Sequence, residues 1–302
     1  MTSTGIEARE GRHATVGGLP VTRVLPTKGR RTVGAWCFVD LMGPVDAETP
    51  DPMEVGPHPH IGLSTVTWLL EGEALHTDSL GTEQVIRAGQ LNLMTAGNGI
   101  AHAELAAKPP FRGAQLWVAQ PEATRHGGST FEHHADLPLT SVGGDGADTG
   151  RADATVFVGA LDGATSSARA DTPLVGADLT VRQRGAMVLP TDSSFEYAVV
   201  PLDGRVAVHG EVAEPGWLTL VAPGRDELVV EVDRDDARFL ILGGEPLGED
   251  VAMWWNFVAR DRDELTAAWR DWRDRTDRFG AVASSLDRID APVPPWVTDP
   301  AS

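Results

Sequence analysis

The sequence predicts an all-β protein: two barrel or jelly-roll domains of similar size, with a single α-helix near the C-terminus. Three observations carry this reading. First, short apolar runs bounded by turn residues fill the first half, among them Ser64 to Leu70 (STVTWLL), Val85 to Ile86, Leu91 to Met94 and Gln115 to Val118. Gly72, Gly81, Gly89 and the Gly97-Asn98-Gly99 turn punctuate them, and short strands at roughly 8–12 residue spacing read as a sandwich or barrel. Second, Ala135 to Asp153 is a polar, glycine-rich break. Third, the pattern restarts beyond it, at Thr155 to Val158, Leu179 to Arg182, Glu196 to Val200, Val206 to His209, Trp217 to Val221, Leu228 to Val232 and Phe239 to Leu242.

These features divide the chain into an N-terminal domain over residues 1–140, a linker over 141–153 and a C-terminal domain over 154–302. The GGDGADTG inside the break has the look of a calcium-binding repeat unit. Such units stabilise one another by stacking, and one copy is present, so the stretch reads as linker. Past residue 260 the periodicity becomes helical. Asp261 and Glu264 have capping-box spacing, and Leu265, Ala268, Trp269, Trp272, Thr276 and Phe279 recur at helical intervals. The spacing predicts a helix over about 260–279, with tryptophans that anchor it to a β-domain. The Pro-rich stretch Ala291 to Ser302 reads as a loose end.

Composition narrows the function. Lys and Arg total 25 against 44 Asp and Glu, a net charge of -19, which argues against direct binding of nucleic acid, where a basic footprint must displace counterions. The 41% apolar content is that of a folded protein. Cys37 is the single cysteine, so internal disulfides and multi-thiolate sites are excluded; it reads as a small buried hydrophobe. With no apolar run long enough to span a bilayer, the expectation is a cytoplasmic monomer with no membrane contact. Gly97-x-Gly99 lacks the remainder of a dinucleotide fingerprint.

The chemistry concentrates in the histidines. Five of the nine lie between His58 and His126. His58-Pro59-His60 precedes the strand Ser64 to Leu70, and His102-Ala103-Glu104 follows the Gly97-Asn98-Gly99 turn. On extended backbone, residues i and i+2 project from one face, so each pair aims two donors at one point. Imidazoles with one carboxylate suit Fe, Ni, Mn, Cu or Zn rather than oxygen-seeking cations. Pro57 and Pro59 suit a strand edge or loop, and Gly97 and Gly99 can take the positive φ that turns His102 inward. His76 and Asp78 share a face and read as a surface hairpin, with orientation of a ligand imidazole as the alternative. His126, His133 and His134 read as solvated loop residues.

PHPHIGLSTVTWLLEGEALHTDSLG followed by IRAGQLNLMTAGNGIAHAE resembles the pirin family, bicupin proteins of the cupin superfamily. RTVGAWCFVDLMGP (Arg31 to Pro44), QLWV (Gln115 to Val118) and GGEPL (Gly243 to Leu247) extend the resemblance along most of the chain. It implies two cupin domains, of which the N-terminal one holds a metal, usually iron, on His58, His60, His102 and Glu104. The C-terminal domain would lack a complete site, and His209 is the sole histidine between Asp153 and Gly248. Where well-known members carry Arg and Glu in the first motif, this chain has Ile61 and Ser64. That removes a charge pair near the metal and leaves Glu104 as the carboxylate ligand.

Two functions follow from the resemblance. The first is a flavonol dioxygenase of the quercetinase type, with Glu104 both ligand and proton acceptor and with Ile61, Leu63 and Trp117 at the rim for a flat aromatic guest. The second is a non-enzymatic, metal-loaded and redox-sensitive protein that binds a transcription factor or metabolic enzyme. A sugar-phosphate isomerase is disfavoured, because only Arg87, Lys108 and Arg112 offer positive charge near the site.

Overall fold

Each apolar run singled out above lies in a strand of the computed structural model, which describes residues 5–45, 53–106, 109–144, 146 and 149–298. The one trimmed end is His209, which follows the strand Val206–Val208 in a left-handed conformation (φ 48°). Gly185–Pro190 and Glu227–Val232 alternate buried and less buried residues, the period of a strand with one wet face. Leu63–Glu71 is buried along nearly its whole length, with Ser64, Thr65 and Thr67 buried beside its apolar residues. Among the described residues the fold is all-β apart from one helix, with two cupin-like domains.

The two units are interleaved rather than consecutive in the chain. One comprises Met1–Ala14, Thr22–Leu41 and His134–Leu247; the other comprises Thr15–Val21, Met42–His133 and Gly248–Ser302. This departs from a simple division into 1–140 and 154–302, and the reason is strand and side-chain pairing. Ile6–Glu10 runs antiparallel to Trp217–Val221. Trp36 Nε1 donates to the carbonyls of Val175 and Gly243, and Glu196 accepts from the Gly34 amide and from Arg30. The N-terminal segments therefore complete the unit built mainly from the second half. Its core joins Ala177, Leu179, Val199, Phe239 and Ile241 of an eight-stranded sheet to Met187, Val206, Leu228 and Val230 of a four-stranded one.

The other unit contains a four-stranded sheet in the order Glu54–His60, Ile100–Ala106, Glu73–Asp78, Glu83–Arg87. A second sheet includes, in order, Thr130–His134, Leu91–Thr95, Leu63–Glu71 and Phe111–Ala119. The sheets face each other, since Thr67 of the second reaches Glu104 of the first and Trp117 packs edge-on against His60. The C-terminal segment belongs here. Leu265, Ala268, Trp269, Trp272 and Phe279 form one apolar cluster with Ile61, Ala101 and Phe257.

The helix spans Arg262–Arg273, shorter than 260–279. Asp261 caps it by accepting from the Glu264 amide at 2.9 Å. Arg275 takes a left-handed conformation (φ 56°) just beyond the C-cap Asp274, so Phe279 reaches the cluster from a loop. Glu264 accepts a bidentate pair from Arg125 at 2.7 and 2.9 Å, tying the helix to the loop after Phe111–Ala119. The expected loose end is also corrected over the described residues: Trp296 Nε1 donates to Thr266 Oγ1, and Ala291, Trp296 and Val297 pack on the helix cluster. Residues 299–302, like Lys108 and residues 145, 147 and 148 of the linker, lie outside the described residues.

Candidate metal centre

Strand register builds the site. The strand Ile100–Ala106 lies between Glu54–His60 and Glu73–Asp78, pairing His102 with His58 on one side and with Asp78 on the other. Ile100 stands opposite His60, and Glu104 opposite His76. Each of three neighbouring strands thus contributes an i, i+2 pair to the same inner face: His58 and His60, His102 and Glu104, His76 and Asp78. The prolines fit because Glu54–His60 is the edge strand of this sheet. Gly97 takes positive φ (53°) at the turn into the His102 strand, with the Gly127 carbonyl where a Cβ would sit. Gly99 keeps an ordinary φ and is needed for space, since a Cβ there would press on Arg278 and Phe279.

His58, His60 and His102 are buried and offer nitrogens within 4.8 Å of one another. His60 Nε2 and His102 Nε2 are 3.0 Å apart, and the His58 and His102 rings lie 4.3 Å between centroids. Outward-facing nitrogens are engaged by backbone: His58 Nδ1 donates to the Gly56 carbonyl at 2.9 Å, and His60 Nδ1 to the Asn256 carbonyl at 3.0 Å. Carbonyls accept only, so each of these neutral rings carries its proton on Nδ1 and its lone pair on Nε2. Burial lowers the His58 pKa to about 4, and lowers those of His60 and His102 well below the ordinary value, with neighbouring imidazoles adding to the effect for both. Clustered, neutral, buried imidazoles with inward lone pairs fit a divalent transition metal.

Glu104 joins the set through His102. It belongs to a second group of donors, with His76 and His102, and not to the group of His58 and His60. Its Oε1 accepts from Thr67 Oγ1 at 3.1 Å. Burial pushes its carboxyl upward, partly offset by His76 and the Thr67 hydroxyl.

His76 and Asp78 are buried, at 3% and 2% exposure, which overturns the surface-hairpin expectation. His76 stacks on Phe131 with centroids 4.6 Å apart. Its Nδ1 lies 3.3 Å from His102 Nδ1, and its Nε2 lies 3.2 Å from Asp78 Oδ2. Burial alone would raise the Asp78 carboxyl, but His76 and the contacts with Thr82 outweigh it and hold the group below its usual value.

Other expectations change. Ile61 and Leu63 are buried, Ile61 against the helix cluster, so neither forms an open rim. Trp117 of that trio packs on a site histidine, His60, with ring centroids 5.2 Å apart. Ser64 donates to Thr95 Oγ1 and is buried there. His133 and His134 are half-buried on the strand Thr130–His134, and His133 contacts Asn92 at 2.7 Å; His126 is exposed. Cys37 is buried, as expected. Sequence reasoning missed the Gly56 and Asn256 carbonyls, which as backbone groups leave no side-chain signal, and Thr67, one of three hydroxyl residues on its strand.

Fold and site together define a bicupin-type protein with a buried histidine cluster in one barrel. Its family profiles agree: the pirin profile matches residues 18–118 and the pirin C-terminal cupin profile matches residues 176–280. The chain belongs to the pirin family. A Pseudomonas aeruginosa protein named "Putative quercetin 2,3-dioxygenase" is 44% identical over 286 residues, covering 94% of this chain and 88% of its own. A "Pirin-like protein" of Caulobacter vibrioides is 35% identical, covering 87% of this chain and 91% of its own. The crystal structure of a quercetin 2,3-dioxygenase from Acinetobacter baumannii superposes with a TM-score of 0.90 at 40% identity, covering 97% of each chain. No helix among the described residues is long and apolar enough to cross a membrane.

Proposed function

We propose that the protein is a metal-dependent dioxygenase of the quercetinase type that opens flavonol-like aromatic substrates with O2. The observation that carries this reading is the convergence of three buried imidazoles, His58, His60 and His102, in a chain similar over nearly its whole length to proteins named for that activity. His58, His60 and His102 would hold the ion by Nε2, with Glu104 as the carboxylate ligand. The carbonyls of Gly56 and Asn256 orient the first two rings. Iron(II) is the proposed metal, and the donor set also accepts Ni, Mn, Cu or Zn. When bound, it would supply Lewis acidity toward the substrate oxygen and a route for electrons to O2.

The protein's own share of the chemistry is proton handling and exclusion of water. Glu104 would take the proton of a flavonol 3-hydroxyl. Thr67 holds Oε1, leaving Oε2 to receive it. Trp117, against His60, supplies apolar surface beside the ion site.

The test is carbon monoxide release from quercetin under O2, using protein loaded anaerobically with iron(II), beside His58→Ala. Release by the unmodified protein alone supports the metal, the site and the reaction class together. Folded, metal-loaded protein that releases none would sink the dioxygenase reading and favour a metal-loaded interaction protein. Release by both proteins would point to free iron.

A further inference from the structure

His76 and Asp78 are the one inward-facing pair on the three site strands that the proposed reaction leaves without a role. Packing does not account for them. A histidine that only fills space against Phe131 needs no partner for its nitrogens, yet both nitrogens of His76 have one. The Asp78 side chain is fully buried. Its Oδ1 accepts from the amides of Leu80 and Thr82 at 2.9 and 3.0 Å, and its Oδ2 faces His76 Nε2. Two backbone donors fix the carboxylate within the turn, so its remaining oxygen presents a fixed acceptor to the imidazole.

For a neutral His76, counting protons inward from that acceptor assigns the tautomers that leave His102 ready to bind a metal. Asp78 Oδ2 accepts, so His76 Nε2 carries a proton and, in the neutral ring, Nδ1 carries the lone pair. His76 Nδ1 lies 3.3 Å from His102 Nδ1, so it accepts there and His102 carries its proton on Nδ1. The His102 lone pair is then on Nε2, the atom 3.0 Å from His60 Nε2. His58 and His60 reach the same state through the Gly56 and Asn256 carbonyls. Among the described residues no backbone carbonyl is hydrogen-bonded to His102 in that way; a two-residue chain ending in a carboxylate does the same work.

We propose that His76 and Asp78 are positioning residues: they hold His102 in the tautomer that presents its Nε2 lone pair to the metal, and they place a carboxylate charge behind it through two imidazoles. The inference rests on the metal reading above. Outer partners of this kind raise ligand basicity, and their loss typically weakens metal affinity by about 10–100-fold.

Cobalt(II) affinity, measured by competition with a chelator, separates this role from packing. His76→Phe keeps the ring against Phe131 and removes the acceptor, and it should weaken affinity by about 10–100-fold. His76→Gln, whose carbonyl can accept from His102 while its amide donates to Asp78, should recover most of the loss. A packing role alone would lower the melting temperature of the metal-free protein and leave affinity unmoved. Imidazole nitrogen NMR on zinc-loaded unmodified protein gives a second readout, with the proton expected on Nε2 of His76 and on Nδ1 of His102. Should His76→Phe fail to fold, Asp78→Asn keeps the turn acceptor and should weaken cobalt binding in the same range. Unchanged affinity in a folded variant, or a His76 proton on Nδ1, overturns the positioning role alone. Absence of cobalt and zinc uptake by the unmodified protein overturns the metal reading and this inference with it.

Discussion

Thr67 shows what a single hydroxyl does in a buried site. It donates to Glu104, a carboxylate closed off from water and raised in proton affinity by that burial. Thr67→Val keeps the shape and removes the donor, so Glu104 Oε1 loses its partner. Leaving a buried acceptor unsatisfied costs about 1–3 kcal/mol, and urea unfolding of the metal-free variant should show a loss in that range. An unchanged midpoint would mean that Glu104 finds another donor. Tyr197 offers a cleaner titration, being the chain's single tyrosine. Its hydroxyl accepts from the Asp192 amide at 2.8 Å, and burial pushes its pKa up to about 12 from an ordinary 10. A folded-state value above the unfolded one means its stabilising contribution is intact below pH 10 and is lost as pH rises from 10 to about 12. Phenolate absorbance in the native protein should therefore rise with a midpoint well above that in denaturant. Coincident midpoints would show the ring to be solvated.

The helix Arg262–Arg273 sits at the element scale, where local signals and packing agree. Asp261 accepts from Glu264, while the Glu264 carboxylate serves Arg125 and the Arg260 amide instead of closing a capping box on Asp261. Asp261→Ala should cost about 1 kcal/mol in unfolding free energy, and Trp272→Ala about 3–5 kcal/mol, since that ring is 4% exposed within the apolar cluster. Chemical denaturation of the two variants side by side checks the ranking; equal losses would mean the cap carries more than its own hydrogen bond. Much of this was legible in the sequence. Asp261, Leu265, Trp269 and Trp272 announced the start and the inner face, because caps and periodicity are local properties. The end was not legible: Phe279 keeps the helical spacing, but Arg275 has already left the helix. The same divide runs through the site. His58, His60 and His102 were readable as i, i+2 pairs, whereas the burial of His76 and Asp78 depends on which strand lies beside Ile100–Ala106, and that is fixed by pairing across sequence gaps.

Chain connectivity shows itself only in the whole molecule. Sequence composition marked a break at 141–153, and by composition the break is real, yet each unit draws strands from both sides of it. The histidine cluster depends on this arrangement, because the carbonyl that orients His60 belongs to Asn256, almost two hundred residues later in the chain. A fragment ending near Gly144 would carry all four proposed ligands but lack the helix cluster over Ile61 and the Asn256 carbonyl. It is expected to expose apolar surface and to lose its metal affinity. Cutting the intact protein has the opposite consequence. A protease site inserted between Gly146 and Thr149 would release two fragments, each supplying strands to both units. Pulling them apart would require Ile6–Glu10 to leave Trp217–Val221, the Trp36 indole to leave Val175 and Gly243, and the helix to leave Ile61 and Ala101. The nicked protein should therefore elute from a sizing column at the position of the intact chain and separate only in denaturant. Two fragments that part in native buffer would show that the interleaved strands contribute little to either unit, and the barrels would then be consecutive in energy as well as in sequence.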